Sequence, residues 1–194
     1  MNFISQLFNR DEFQKKPPVL LGIAATGSIH PEWEKIAEHS VCVGFDADLR
    51  DLEHVTNNEL GFKKFYVTNK ILAEKEGINK FYLTKSPHCS SALPPNNDKL
   101  SAWSFSELFK VEKIADIEAV CLPTILKKFS LNYIDWFKSD SQGTDLRLLQ
   151  SLGPEMISTL IVAERLSYPK KVNVTDRHQV SAILLRKNLP QEEF

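Results

Sequence analysis

YIDWFKSDSQGTDLRLLQSL, residues 133–152, is the stretch on which the reading of the fold turns. An apolar run over residues 134–137 ends on Lys138, Ser139, Asp140, Ser141 and Gln142. Gly143 then turns the chain. Leu146, Leu149 and Leu152 recur at helical spacing beside Leu148, and Gly153-Pro154 is expected to stop the helix. The pattern reads as strand, polar turn, helix. In an open α/β sheet, ligands sit at the carboxyl ends of the strands, so Asp140 stands where a carboxylate can meet one. Asp145 suits the positive end of the helix that follows. A buried strand with an ordinary polar turn accounts for the same spacing, and spacing alone favours that simpler reading.

The chain has 194 residues, 42% apolar and 25% charged, which suits one globular domain with a sizeable core. Net charge is −1, and no basic run interleaves with aromatics, so nucleic acid is not implied as a partner. Cys42, Cys89 and Cys121 are odd in number and far apart, which argues against a disulfide framework and fits a reducing compartment. No apolar run approaches the ~20 residues of a membrane span. The first residues lack the basic start and continuous apolar run of a signal peptide. A cytoplasmic protein without a membrane partner is the expectation.

Phe3, Ile4, Leu7 and Phe8 form a short helical stripe, and Lys15-Lys16-Pro17-Pro18 breaks it, so residues 1–18 read as an N-terminal helix and linker ahead of a domain at 19–194. Residues 19–25 (VLLGIAA) read as a buried strand, followed by the turn Thr26-Gly27-Ser28 and a helix with Trp33, Ile36 and Ala37 on one face. Residues 41–45 (VCVGF) read as a second buried strand ending on Asp46, and Asp48 opens another helix with Leu49, Leu52 and Val55 inward. This is half of a nucleotide-binding unit, in which a small-residue turn lets a cofactor approach and the acid after the second strand accepts from ribose hydroxyls. The full G-x-G-x-x-G is absent, and an acid in that place is often only a helix cap.

Residues 62–67, 79–84, 114–122 and 159–163 are further strand candidates, the last ending on Glu164. Pro123-Thr124 opens a short helix, and residues 175–187 carry a helical pattern. Residues 86–97 (SPHCSSALPPNN) have little regular propensity and many small polar groups, as binding loops do. His88 and Cys89 are adjacent, which is no arrangement for base and nucleophile, and no other Cys or His is spaced to complete a zinc site, so no metal is expected. Trp103, Phe105, Leu108 and Phe109 form an apolar patch suited to a lid or a connecting helix.

The order of these pieces resembles the FkbM family of S-adenosylmethionine-dependent methyltransferases. The family phrase, like D-[FY]-L-K-I-D-x-[EQ]-G-x-E-L-x-[VI]-L, stands here as residues 135–149, DWFKSDSQGTDLRLL. Residues 89–96, CSSALPPN, look like the C-S-S-L-x-x-P-N segment of one branch, and Glu164 resembles the acid of the family's E-V-E. The similarity runs over about residues 19–169. It implies a doubly wound α/β domain of the class I, Rossmann-like methyltransferase type, with a mostly parallel sheet and helices on both faces. It further implies S-adenosylmethionine as cofactor, held by Gly22, Ala24, Gly27, Asp46 and Leu72. Asp140 would face the methionine end or the acceptor, and His88, Ser90, Ser91, Asn96 and Glu164 would meet the acceptor, a small molecule or glycan. Methyl transfer to oxygen needs positioning more than a strong base.

Several positions depart from the family pattern. Leu21 stands where the acid of the cofactor turn belongs and Ile23 where its first glycine belongs; a Cβ there crowds the approach of a cofactor. Ser139 replaces the Ile of K-I-D, and Asp145 is shorter than the family Glu. The strands expected after a closing G-F are not visible, so the chain reads as a C-terminally truncated form of the fold. These departures set beside the methyltransferase a second expectation, a cofactor-poor binding or interaction module without catalysis. A third is another nucleotide-sugar enzyme on a doubly wound sheet.

Overall fold

The computed structural model describes residues 3–23, 31–48, 50 and 61–165. Residues 24–30 (with Ala24, Gly27 and Ser28), Leu49, Leu52 and Val55, and the helical pattern expected at residues 175–187 lie outside them.

The centre is a five-stranded, all-parallel sheet in the order β3-β2-β1-β7-β8: β1 Val19–Ile23, β2 Val41–Phe45, β3 Lys64–Thr68, β7 Trp136–Ser139 and β8 Val162–Arg165. The chain winds outward from β1 to β3, then returns to the other side of β1. Between those halves lies a second, three-stranded sheet: β4 Ile71–Leu72, β5 Gly77–Thr84 and β6 Val111–Val120 in the order β4-β6-β5. β4 runs parallel to β6, and β5 antiparallel to it. The strands read at residues 79–84 and 114–122 therefore exist but belong to this separate sheet. Both strands are half-exposed.

β1 and β2 are buried on every residue because both faces of the parallel sheet are covered. One face (Leu21, Val43, Phe45, Phe137) packs with Ile125 and Leu126 of α5, Leu122–Lys128, and with Leu148 and Leu149 of α6, Asp145–Ser151. The other face (Leu20, Cys42) takes Trp33 of α3, Pro31–Glu34, and Trp136 lies against Trp33 edge-on at 6.1 Å. Each buried Val, Leu, Ile or Phe side chain among these contributes about 1.5–3 kcal/mol. Ala37 falls in a 3-10 turn, Ala37–His39, rather than in a continued helix.

The remaining helices are short: α1 Phe3–Phe8, α2 Asp11–Lys15, α4 Asn97–Leu100 and α7 Gly153–Ile157. Residues 3–18 thus hold two short helices rather than one. Phe8 stacks on His39 at 5.4 Å, and the Tyr133 hydroxyl donates to the Pro17 carbonyl at 2.6 Å. α6 ends at Ser151 ahead of Gly153, as the Gly153-Pro154 pair predicts; Gly153 adopts φ +75 and opens a separate short helix, α7. β7 begins two residues later than the apolar run. Asp135 and Ile134 are engaged ahead of it: the Asp135 carboxylate accepts from Val19 N at 2.8 Å, and Thr159 Oγ1 accepts from Ile134 N at 3.0 Å. Thr159 is spent on that contact, and β8 starts later for the same reason. Among the described residues, no helix is long and apolar enough to cross a membrane.

Candidate functional site

A cleft opens where the carboxyl ends of β1 and β2 meet the small sheet. Ile23, Phe45, Asp46, Ala47 and Asp48 form its floor and one wall. Ile71, Leu72 and Phe81 face them from the small sheet, and Pro87, His88, Ser90, Ser91 and Ala92 come from the polar loop. Ser141, Thr144 and Leu148 of the 133–152 stretch close the third side, and Lys70, ion-paired to Glu118, stands at the margin. The site thus lies beside the point where strand order reverses, between β1 and β7, which is where open α/β sheets bind ligands.

Asp46 is 5% exposed. Its amide donates to the Thr68 carbonyl at 3.2 Å, continuing the β2–β3 ladder, and its Oδ1 accepts from the Asp48 amide at 2.9 Å. The carboxylate is therefore aimed by its own turn, as Asp and Asn commonly are at strand ends. Asp48 is 1% exposed and is held by several contacts in the cleft wall. Its Oδ1 accepts from Arg50 N at 3.2 Å and Nε at 2.9 Å; its Oδ2 accepts from Arg50 Nη2 at 2.6 Å and Ser90 Oγ at 2.9 Å. Burial pushes the Asp48 carboxyl up, but the hydrogen bonds from Arg50 and Ser90 outweigh it and hold the group below its ordinary value. Arg50 Nη2 also donates to the Thr84 carbonyl at 2.8 Å and to Ser90 Oγ at 3.2 Å, and Ser90 Oγ accepts from Thr84 N at 3.1 Å. One guanidinium and one hydroxyl so join the end of β2 to the end of β5.

The motif at residues 139–145 is built around Asp145, 5% exposed. Its Oδ1 accepts from Ser139 Oγ at 2.6 Å, Ser141 N at 2.7 Å and Ser141 Oγ at 2.8 Å. Two of the departures from the family phrase are thus partners: the fully buried hydroxyl of Ser139 meets the shortened acid. Thr144 Oγ1 donates to Ser141 Oγ at 2.7 Å, and Ser91 Oγ donates to the Ser141 carbonyl at 3.1 Å, tying the motif to the CSS loop. Gln142 at φ +56 and Gly143 at φ +125 make the turn; a Cβ on Gly143 would come within 3.1 Å of Leu93 Cδ1.

The sequence-predicted residues divide as follows. Asp46, Leu72, His88, Ser90 and Ser91 all line the cleft, with His88 exposed and Ser90 and Ser91 buried. Asp140 stands just beside it: its amide donates to the Ile23 carbonyl at 3.1 Å, and its Oδ1 accepts from Gln142 Nε2 at 2.8 Å. Asp46 and Asp140 thus follow the two strands that flank β1, at one rim of the sheet. Gly22 lies inside β1, in register with Gly44 and Lys138, and not on the cleft surface. Asn96 is exposed and caps α4, its Oδ1 accepting from Lys99 N at 3.1 Å. Glu164 sits in β8 opposite Lys138. The sequence reading missed Arg50, Thr84 and Phe81; a D-x-D-x-R spacing at residues 46–50 was the one local signal for the first.

The cleft has apolar walls (Phe45, Ile71, Leu72, Phe81) and two buried carboxylates, Asp46 and Asp48. Ile23 adds a side chain to the floor. No protein-family model, no curated protein and no solved structure matches the chain.

Proposed function

We propose that the protein is an S-adenosylmethionine-dependent O-methyltransferase acting on a small molecule or glycan. The observation that carries the reading is the convergence of Asp46, the acid after β2, and Ser141, from the FkbM-like phrase, on one cleft at the carboxyl rim of a parallel sheet. Asp46 would accept from the ribose hydroxyls, and Ile71 and Leu72 would flank the base. S-adenosylmethionine, when bound, supplies an electrophilic methyl group. The chain's own contribution is orientation and exclusion of water, with Asp140 and the loop of His88 and Ser91 toward the acceptor.

The test is calorimetric titration with S-adenosylhomocysteine. Saturable heat and a ligand-dependent rise in Tm are expected. Asp46→Ala should weaken binding by about 1–3 kcal/mol through loss of charge-assisted hydrogen bonds. No heat at millimolar ligand would sink the assignment. Ile23, buried at 5% in the floor of the cleft, favours one second reading: a methyltransferase-like module that binds a partner without the cofactor. That module would give no heat with S-adenosylhomocysteine yet keep its fold.

A further inference from the structure

The CSS loop touches the cofactor side of the cleft through one chain of contacts. Ser90 Oγ donates to Asp48 Oδ2, and Arg50 grips the same carboxylate through Nε and Nη2. The Asp48 amide in turn donates to Asp46 Oδ1 at 2.9 Å. Ser90 also accepts from Thr84 N, so the group that fixes Asp48 is itself fixed to β5. Ser90 and Asp48 are 8% and 1% exposed, and every oxygen of the pair has a protein donor or acceptor within 3.2 Å.

We infer that Ser90 and Arg50 are positioning residues for Asp46: they hold Asp48 in the place from which its amide aims the Asp46 carboxylate at the ligand. Ser90 therefore serves the cofactor side of the cleft rather than the acceptor. A planar, two-point guanidinium grip fixes direction as well as distance, which a lysine would not do. The inference rests on the methyltransferase reading, in which Asp46 binds the nucleoside.

The experiment uses the full chain and S-adenosylhomocysteine. Ser90→Ala is expected to weaken binding about tenfold, within the range of one hydrogen bond to a charged group. Ser90→Thr, which keeps the hydroxyl, is expected to restore it; Arg50→Lys, which keeps the charge and loses the fork, is expected to weaken it as Ser90→Ala does. The decisive readout is coupling. Because Ser90 acts through Asp46, the double variant Asp46→Ala/Ser90→Ala should bind no more weakly than Asp46→Ala alone. Additive losses, or native affinity in Ser90→Ala, would overturn the inference. Amide exchange supplies a readout that needs no ligand: the Asp48 amide should exchange faster in Ser90→Ala than in wild type, while the Leu21 amide in β1 does not change. If wild type binds no S-adenosylhomocysteine, the methyltransferase reading falls and this exchange measurement decides alone. Unchanged exchange at Asp48 overturns the positioning role, and accelerated exchange supports it.

Discussion

Asp48 and Asp145 are both sealed carboxylates, 1% and 5% exposed, at the carboxyl rim of the same parallel sheet, and they are held in opposite ways. Asp48 is gripped by a cation, and its other partner, Ser90, lies 42 positions away in the chain. Asp145 is met at Oδ1 by three neutral donors, all within six positions of it. The first arrangement joins two sheets; the second shapes one turn. A buried carboxylate can be satisfied either way, but what breaks on removing the partner differs. Loss of a neutral donor leaves a hydrogen bond unmade, whereas loss of the cation leaves a charge without its counter-charge.

The sharpest way to break the comparison is Arg50→Met. It should cost about 2–3 kcal/mol in urea denaturation, below the usual figure for a broken buried pair because Ser90 remains and Arg50 is partly in solvent. The loosening should appear in β5 and the loop at residues 86–91, read by hydrogen exchange, and not in the 139–145 turn. Asp145→Asn comes next. An amide oxygen can still accept from Ser139 and Ser141, so about 1–2 kcal/mol is expected, confined to that turn. Equal spread of the two effects over both sheets would erase the distinction.

The smallest effect is one of pH. Asp48 has a folded pKa below its ordinary value, so its contribution to stability is fully present above the unfolded value of about 3.9. It is lost as pH falls through the folded value. Acid denaturation midpoints should therefore shift upward in pH for Arg50→Met, and Asp48→Asn should flatten the acid limb of the stability curve. A limb of unchanged slope in Asp48→Asn would assign the acid sensitivity to other carboxylates.

The parallel sheet could be read from the residues because its signals are local. β1 and β2 are apolar at every buried position, and Gly143 marks a turn that only a residue tolerant of positive φ makes easily. The acid after β2 and the phrase at residues 135–149 likewise announced two sides of the cleft. The small sheet was harder. β5 and β6 are half-exposed, and nothing in either strand says that Gly77 pairs with Ala119 while the sheet stands apart from the main one. Arg50 was hard to read for a related reason: beyond its D-x-D-x-R spacing, a surface-type residue acquires its role from Thr84 and Ser90, 34 and 40 positions away. The Ser139 hydroxyl at an apolar strand position and the shortened acid at 145 looked like two defects. In space they are one bond.

The small sheet leaves and rejoins the main chain path at a single seam. Leu72 of β4 and Val120 of β6 are register partners, and the Ala73 amide donates to the Val120 carbonyl at 3.1 Å. Everything between them is a detour that ends where it began. Away from the contacts of Thr84, Ser90 and Ser91 with Arg50, Asp48 and Ser141, such a detour can be lengthened, shortened or exchanged without asking the parallel scaffold to move.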